Sequence, residues 1–467
     1  MFCPPFYYNE ITIKVVEKTV MKKKRSFLVE AVICGFAMFA VFFGAGNLIF
    51  PPFLGLEAGT DWFKGFLCFV MADAGLAIMT VLACVRFSGR IEDLLAPLGR
   101  IPTRILLTII ILCVGPLVAI PRTCATTFEL GIKQLLPSFS AWIFALIFFG
   151  IVALLTLKPT AVVDIIGKFL TPVLLITLAV LCIKGVLSPV GEISETVKSV
   201  NVSKDGILAG YQTMDALGAI PISIIILKSL KDKGFTGQKK IFRVMTPGSI
   251  VAFAGLFLVY GGLCHLGATT SLMELGDINQ TGLVVLVTEL LLKKFGVVLL
   301  GMIVLFACLT TAIGLTSSAA EYFNTLFKNR VSYRTLVFVI CAIGILVSNF
   351  GISMIISLAS PLLTVVYPVF LTQVVLSFFN KQLHNPNINR GAAIGALIVS
   401  LLDTVRDLGV SMPFLARLPL AEYGFAWVLP AVLGALIGAM IRPKPGRVRV
   451  AELKKPEVTS AEMKPAS

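Results

Sequence analysis

The feature that most constrains this chain is a recurrence of apolar stretches from Phe27 to Ile441. Each is roughly 20 residues long, enough to cross about 30 Å of hydrocarbon as a helix. About twelve can be drawn, at 27–55, 63–85, 104–130, 139–157, 164–187, 205–228, 244–264, 295–325, 335–350, 353–379, 391–405 and 424–441. Charged residues make up 14% of the chain, against about a quarter in soluble proteins. The composition excludes a soluble globular enzyme and predicts an all-α membrane protein of about 12 transmembrane helices.

Net charge is +15, and its placement orients the spans. With the amino terminus inside, Arg86, Arg90, Arg100, Arg104, Lys158, Lys168, Lys239, Lys240, Lys328, Arg330 and Lys381 all fall on the cytoplasmic side. The opposite loops are poorer in Lys and Arg, so both basic tails are expected in the cytoplasm. No folded basic domain accompanies these tails, so they point to anionic lipid and not to nucleic acid. The ten cysteines are scattered and include no Cys-x-x-Cys pair, and His265 and His384 are the only histidines. That set is too small for a Cys/His metal site and predicts buried, inert thiols. No cleavable signal peptide is read at the amino terminus. Met21 opens MKKKRSFLVEAV, a natural positive flank for the first span, so residues 1–20 read as an upstream-start extension.

Two spans are built to break. Val41–Gly55, VFFGAGNLIFPPFLG, carries Gly-Ala-Gly-Asn at its centre and two prolines a turn later. Glycine loosens a helix, and proline removes a donor and clashes with the preceding turn. Leu208–Leu227, LAGYQTMDALGAIPISIIIL, repeats the pattern: Ala216, Gly218 and Ala219 cluster, Pro221 follows, and Asp215 adds a carboxylate. Each break lies in the first of five spans, and an odd number of spans turns the second half upside down. Paired interrupted helices in halves of inverted topology point to a secondary transporter and its binding site.

Unpaired backbone groups survive in hydrocarbon only where protein, water or a ligand satisfies them. Unwinding at Gly44 leaves carbonyls near Ala40 and Phe43 at one helix end and the amides of Ala45, Gly46 and Asn47 at the next. The first attracts a cation and the second an anion such as a carboxylate. A zwitterion beside a monovalent cation matches both. Asn47 suits either a cation ligand or an interhelical hydrogen bond. Asp215 could face a substrate ammonium or a cation, carry a proton, or pair with Arg122. In FACLTTAIGLTSSAAEYF, Thr310, Thr311, Thr316, Ser317 and Ser318 supply hard oxygens, although each hydroxyl could instead bond back to its own helix. Arg122 and Glu129, two turns apart in the third span, form a gate or a structural pair. Asp73 and Asp403 also lie in spans, and the sequence assigns them no role.

Together FGAGNLIFPP, GPLVAIPRT, GYQTMDALGAIP and CLTTAIGLTSSAAEYF resemble the bacterial branched-chain amino acid carriers, the leucine/isoleucine/valine:cation symporters. That resemblance runs from about Phe27 to about Ile441. It implies a leucine-transporter-like fold of the amino acid–polyamine–organocation superfamily: two inverted five-helix repeats (27–188 and 205–379), then two helices (391–441), flanked by cytoplasmic segments 1–26 and 442–467. By the same similarity, Ala45 and Gly46 amides hold the substrate carboxylate, with Asp215 and Gly218 in the substrate site, and Asn47 contacts a cation near the substrate. A second sodium lies between the carbonyls of Ala40 and Phe43 and the ligands Ala307, Thr310 and Thr311. An arginine usual between the asparagine and the Phe-Pro of sodium-coupled relatives is missing, which implies a differently built outer gate.

The expectation is therefore a sodium-coupled symporter, and not an enzyme, that imports leucine, isoleucine and valine through the inner membrane. A proton-coupled or other-substrate transporter of the same fold is the alternative.

Overall fold

The computed structural model describes residues 27–87, 89–157, 176–232, 234–235, 237–379, 383, 385–407 and 409–442. Both tails, Lys158, Lys168, Lys381, His384 and the first part of the fifth expected span lie outside the described residues. Among those described, regular structure is entirely helical.

The first expected span is two helices, α1 (Phe27–Phe42) and α2 (Ala45–Ala58), parted by Phe43 and Gly44. Pro51 and Pro52 sit inside α2, where the missing N–H groups free the carbonyls one turn earlier. The second span runs as α3 (Trp62–Val70) and α4 (Leu76–Arg86) through a single π turn, Met71–Gly75. The third comprises α5 (Arg100–Leu112) and α6 (Ala119–Thr127), with π turns at Cys113–Leu117 and Phe128–Ile132. Helices α7 (Ala141–Leu157) and α8 (Ile176–Leu187) follow.

The second half opens with another split span, α9 (Val202–Thr213) and α10 (Asp215–Asp232), hinged on Met214 at φ 65°. This is a left-handed conformation that side chains disfavour, and such strain persists where surrounding structure imposes it. The break falls just before the small-residue cluster, so Ala216, Gly218 and Ala219 start α10 and do not form the unwound point themselves. Next come α11 (Gln238–Ala268) and α12 (Gln280–Leu326), the latter bent at Lys293. The part of α12 before that bend, 280–292, is a short helical segment set off from the span that follows. Helices α13 (Tyr333–Ser348), α14 (Ile352–Phe378), α15 (Pro386–Asp407) and α16 (Val428–Met440) complete the chain.

Among the described residues, six continuous helical stretches are long and apolar enough to cross a membrane, and shorter apolar helices accompany them. Broad apolar side chains such as Phe36, Ile101, Leu154 and Leu258 stand on outer faces, a distribution suited to hydrocarbon and costly in water. Half-helix α2 lies at the centre, packed on α9, α11 and α12. At the periphery α15 and α16 pack so closely that a β-carbon on Gly434 would meet the Gly391 carbonyl at 2.1 Å. Small residues allow this backbone approach, the usual means of joining helices in lipid. The described cysteines are unpaired and, except for Cys68, buried.

Candidate functional site at the two helix breaks

The two breaks meet through one side chain. Asn47, in the first turn of α2, is buried. Its Nδ2 lies 2.8 Å from Asp215 Oδ2, 3.1 Å from Asp73 Oδ2 and 2.5 Å from the Tyr260 hydroxyl. Its Oδ1 accepts the Gly44 N–H at 3.2 Å, which fixes the orientation of the amide. Because Gly44 donates there, Ala40 at the end of α1 loses the partner that a continuous helix would supply. Local sequence explains this arrangement: Gly44 is extended (φ −108°, ψ −170°), and an asparagine three residues on reaches back to its backbone.

The second break is held from below and beside. The Thr213 hydroxyl lies 2.7 Å from Asp73 Oδ1 and 2.6 Å from the Gly210 carbonyl. Asp73 has no exposed surface and sits in the π turn of the second span, the kind of local widening that recurs at functional sites. Arg122 of α6 is also buried and donates to the carbonyls of Gln212 and, at 2.9 Å, Thr213. A guanidinium at the carbonyl end of α9 is matched to that helix dipole.

Asn47 and Asp215, which the sequence singled out separately, lie in contact, and Ala45 and Gly46 begin the half-helix beside them. Gly218 is buried, and an added β-carbon there would have no atom within 4 Å. Open space therefore borders α10. Thr310 and Thr311 place their hydroxyls 2.9 and 3.0 Å from the Ala307 carbonyl. Three hard oxygens converge there, and a hydroxyl that donates backward still has lone pairs to offer. This donor set fits sodium. Its intended complement, the Ala40 and Phe43 carbonyls, sits at the end of α1, which packs chiefly on α11. The two halves of that set are therefore carried by separate helices, α1 and α12.

Two expectations about Arg122 are corrected. It does not pair with Glu129, because the two bond elsewhere. Glu129 Oε2 accepts from the Thr281 hydroxyl and, at 3.4 Å, from Asn279, while Oε1 accepts the Ile352 amide at 3.3 Å. Seven residues of helix separate the pair by about 10 Å along the axis, and the π turn at Phe128–Ile132 intervenes. Nor does Arg122 form an ion pair with Asp215 among the described residues. Its partners are backbone carbonyls instead. Of the remaining hydroxyls, Ser318 bonds back to Gly314, Ser317 meets Tyr333, and Thr316 is buried with no hydrogen-bond partner among the described residues.

Sequence reasoning missed Asp73, Thr213 and Tyr260. An aspartate in an apolar span was itself a signal. Nothing local marks Tyr260, which reaches the site only because α11 packs on α2.

Fold and site together define a polytopic membrane protein of the broken-helix transporter fold, in which two interrupted spans face each other. The same fold is seen in Mhp1, a nucleobase-cation-symport-1 family transporter solved in a closed conformation with bromovinylhydantoin bound. The TM-score is 0.59 at 15% identity, covering 88% of this chain and 91% of that one. A Na+-coupled sialic acid symporter in a substrate-bound outward-open state matches at TM-score 0.55 and 14% identity, over 88% and 90% of the two chains.

The chain belongs to the family of branched-chain amino acid transport proteins, whose family model matches residues 28–444. It is 34% identical over 426 residues to the branched-chain amino acid permease BrnQ of Salmonella typhimurium, covering 90% of this chain and 97% of that protein. Identity to the permease BraB of Bacillus subtilis is 34% over 427 residues, or 88% and 95% of the two chains. Members of the family are permeases and carriers and not enzymes, and the protein is a multi-pass membrane protein.

Proposed function

We propose that the protein imports leucine, isoleucine and valine by sodium symport, through alternating exposure of the site between α1–α2 and α9–α10. The observation that carries this reading is the Asn47 side chain bridging both breaks, at 2.8 Å to Asp215. Bare amides at the start of α2 suit the substrate carboxylate, and the carboxyl groups of Asp215 and Asp73 suit its ammonium or the coupled cation. The space beside Gly218 accepts a branched aliphatic side chain. One methylene in such a pocket changes affinity by only about 1–3 kcal/mol, so the three substrates should overlap. Family membership supports the substrate class.

Sodium is favoured by the oxygen set at Ala307, Thr310 and Thr311, with the Ala40 and Phe43 carbonyls as its complement. A coupled ion biases transport only if it binds the two exposed forms unequally. A set divided between α1 and α12 meets that requirement, because relative movement of the two helices assembles or opens it. The cytoplasmic membrane, with both termini inside and lipid around the apolar faces, follows from the placement of lysine and arginine. Proton coupling is the second reading. It is favoured by the carboxyl groups of Asp73 and Asp215 meeting at one amide, with no cationic side chain ion-paired to either among the described residues.

Uptake of labelled leucine into proteoliposomes tests the proposal. Accumulation should require an inward sodium gradient and persist when pH is equal on both sides. Accumulation driven by a pH gradient alone, without sodium, would transfer the assignment to the proton.

A further inference from the structure

We propose that the stacked rings of Tyr211 and Tyr367 form the outer gate over the two helix breaks. This inference rests on the transport reading and the membrane orientation proposed above, and it names the part that shuts the site from outside. Tyr211 lies on α9 and Tyr367 on α14, and these helices pack together. The ring centroids are 4.3 Å apart, with the planes at 16°. Tyr211 is 3% exposed and Tyr367 has no exposed surface, so the rings leave no passage between them. Such face-to-face contact of large flat side chains is a stable closure that carries no charge.

The two sides of the pair look onto different places. On one side, a recess lined by Lys204, Leu208, Thr364, Asp403 and Asp407 ends against Tyr211. Lys204 and Asp407 face each other at 3.6 Å across this recess, and the Asp407 side chain is 45% exposed, where α9 and α15 meet the outer loops. On the other side, the charges that act on Tyr367 are those of Asp215, Asp73 and Arg122, the groups gathered at the breaks. The order from outside is therefore recess, Tyr211, Tyr367 and the site. An aromatic closure stands in place of the arginine missing between Asn47 and Phe50.

Both rings are mounted next to joints. Tyr211 stands just before Met214, the left-handed point on which the second break turns. Tyr367 precedes Pro368, which withholds the helical hydrogen bond from the Thr364 carbonyl and lets α14 bend there. The Tyr367 hydroxyl is buried with no hydrogen-bond partner among the described residues. A buried polar group in that condition is costly. Parting the rings relieves the cost, because water or substrate then reaches the hydroxyl. The pair is thus closed by ring contact and poised to open at two adjacent joints.

The test reads access to the site from each face of the membrane. Gly218→Cys places a thiol where an added β-carbon meets open space, and a membrane-impermeant thiol reagent reports how fast it is reached. Peptide mass identifies labelling at position 218 apart from the native cysteines. Intact cells expose the outer face, and inside-out vesicles the cytoplasmic one. In the Gly218→Cys background, Tyr211→Val and Tyr367→Val should each raise the rate from outside by about tenfold and leave the rate from inside unchanged. Tyr211→Phe and Tyr367→Phe keep the rings and should stay within about twofold of the background. If one valine variant fails to fold, the other decides. An unchanged outside rate in a folded valine variant would overturn the gate, as would equal acceleration from both faces. Labelling uses no leucine, so the expected pattern in a protein that takes up no leucine would strike the substrate reading and leave the gate standing.

Discussion

The side-chain nitrogen of Asn47 lies 2.8 Å from a carboxylate oxygen of Asp215, 168 residues further along the chain. One asparagine thereby ties the first interrupted span to the second and closes the two halves around a common centre. Its two amide hydrogens face three oxygens, on Asp73, Asp215 and Tyr260. Tight hydrogen-bond competition of this kind makes the site sensitive to any added charge or cation.

Asn47→Ala should abolish leucine uptake and lower stability. It leaves buried oxygens of Asp73 and Tyr260 without their donor, at about 1–3 kcal/mol. A thermal unfolding midpoint unchanged from wild type would count against the bridging role.

Asp73 and Asp403 look alike in sequence, each an aspartate in an apolar span. The structure separates them. Asp73 bonds to Thr213 and Asn47 at the break, whereas Asp403 pairs with Arg406 at 2.5 Å on α15. Asp73→Asn should reduce initial uptake by at least about tenfold, and Asp403→Asn by less than about twofold. Equal effects in side-by-side uptake measurements would remove the distinction.

Among the hydroxyls of α12, Thr311 and Ser318 make the same backward bond to their own helix. Only Thr311 shares its acceptor with a second threonine, Thr310. Thr311→Ala should raise the sodium concentration for half-maximal leucine uptake by about tenfold, with little change in binding at saturating sodium. Ser318→Ala should leave the sodium curve in place. Coincident curves for Thr311→Ala and wild type would dismiss the proposed sodium ligand.

Glu129 ties three elements: the π turn after α6, the start of α12 at Asn279 and Thr281, and the first amide of α14 at Ile352. Glu129→Ala should loosen the segment of α12 before its bend at Lys293. Hydrogen exchange should quicken in the amides of 282–292 and stay constant in α15 and α16. Uniform exchange across both regions would mean that this carboxylate does not fasten the segment.

Much of this arrangement was legible without coordinates. Apolar length alone demands helices, because lipid offers nothing to satisfy a free peptide group. Glycine and proline announce where a helix fails, and Gly44 marks its break to the residue. The second break is less readable. Composition draws attention to Ala216–Ala219, whereas the chain turns at Met214, a residue with no local preference for positive φ. It turns there because neighbouring elements hold it, with Arg122 on the preceding carbonyls and Asp73 against Thr213.

Sequence by itself determined the helices, the places where two of them part, and the carboxylate and amide that lie there. These are properties of short stretches, settled by backbone chemistry in a solvent without hydrogen bonds. Only the tertiary structure decided who faces whom. It sent Arg122 to helix-end carbonyls and away from Glu129, brought Asp73 and Tyr260 to Asn47, and left Asp403 at the edge. Such choices depend on π turns and helix packing, which rotate a side chain by the position of neighbours that no local pattern encodes.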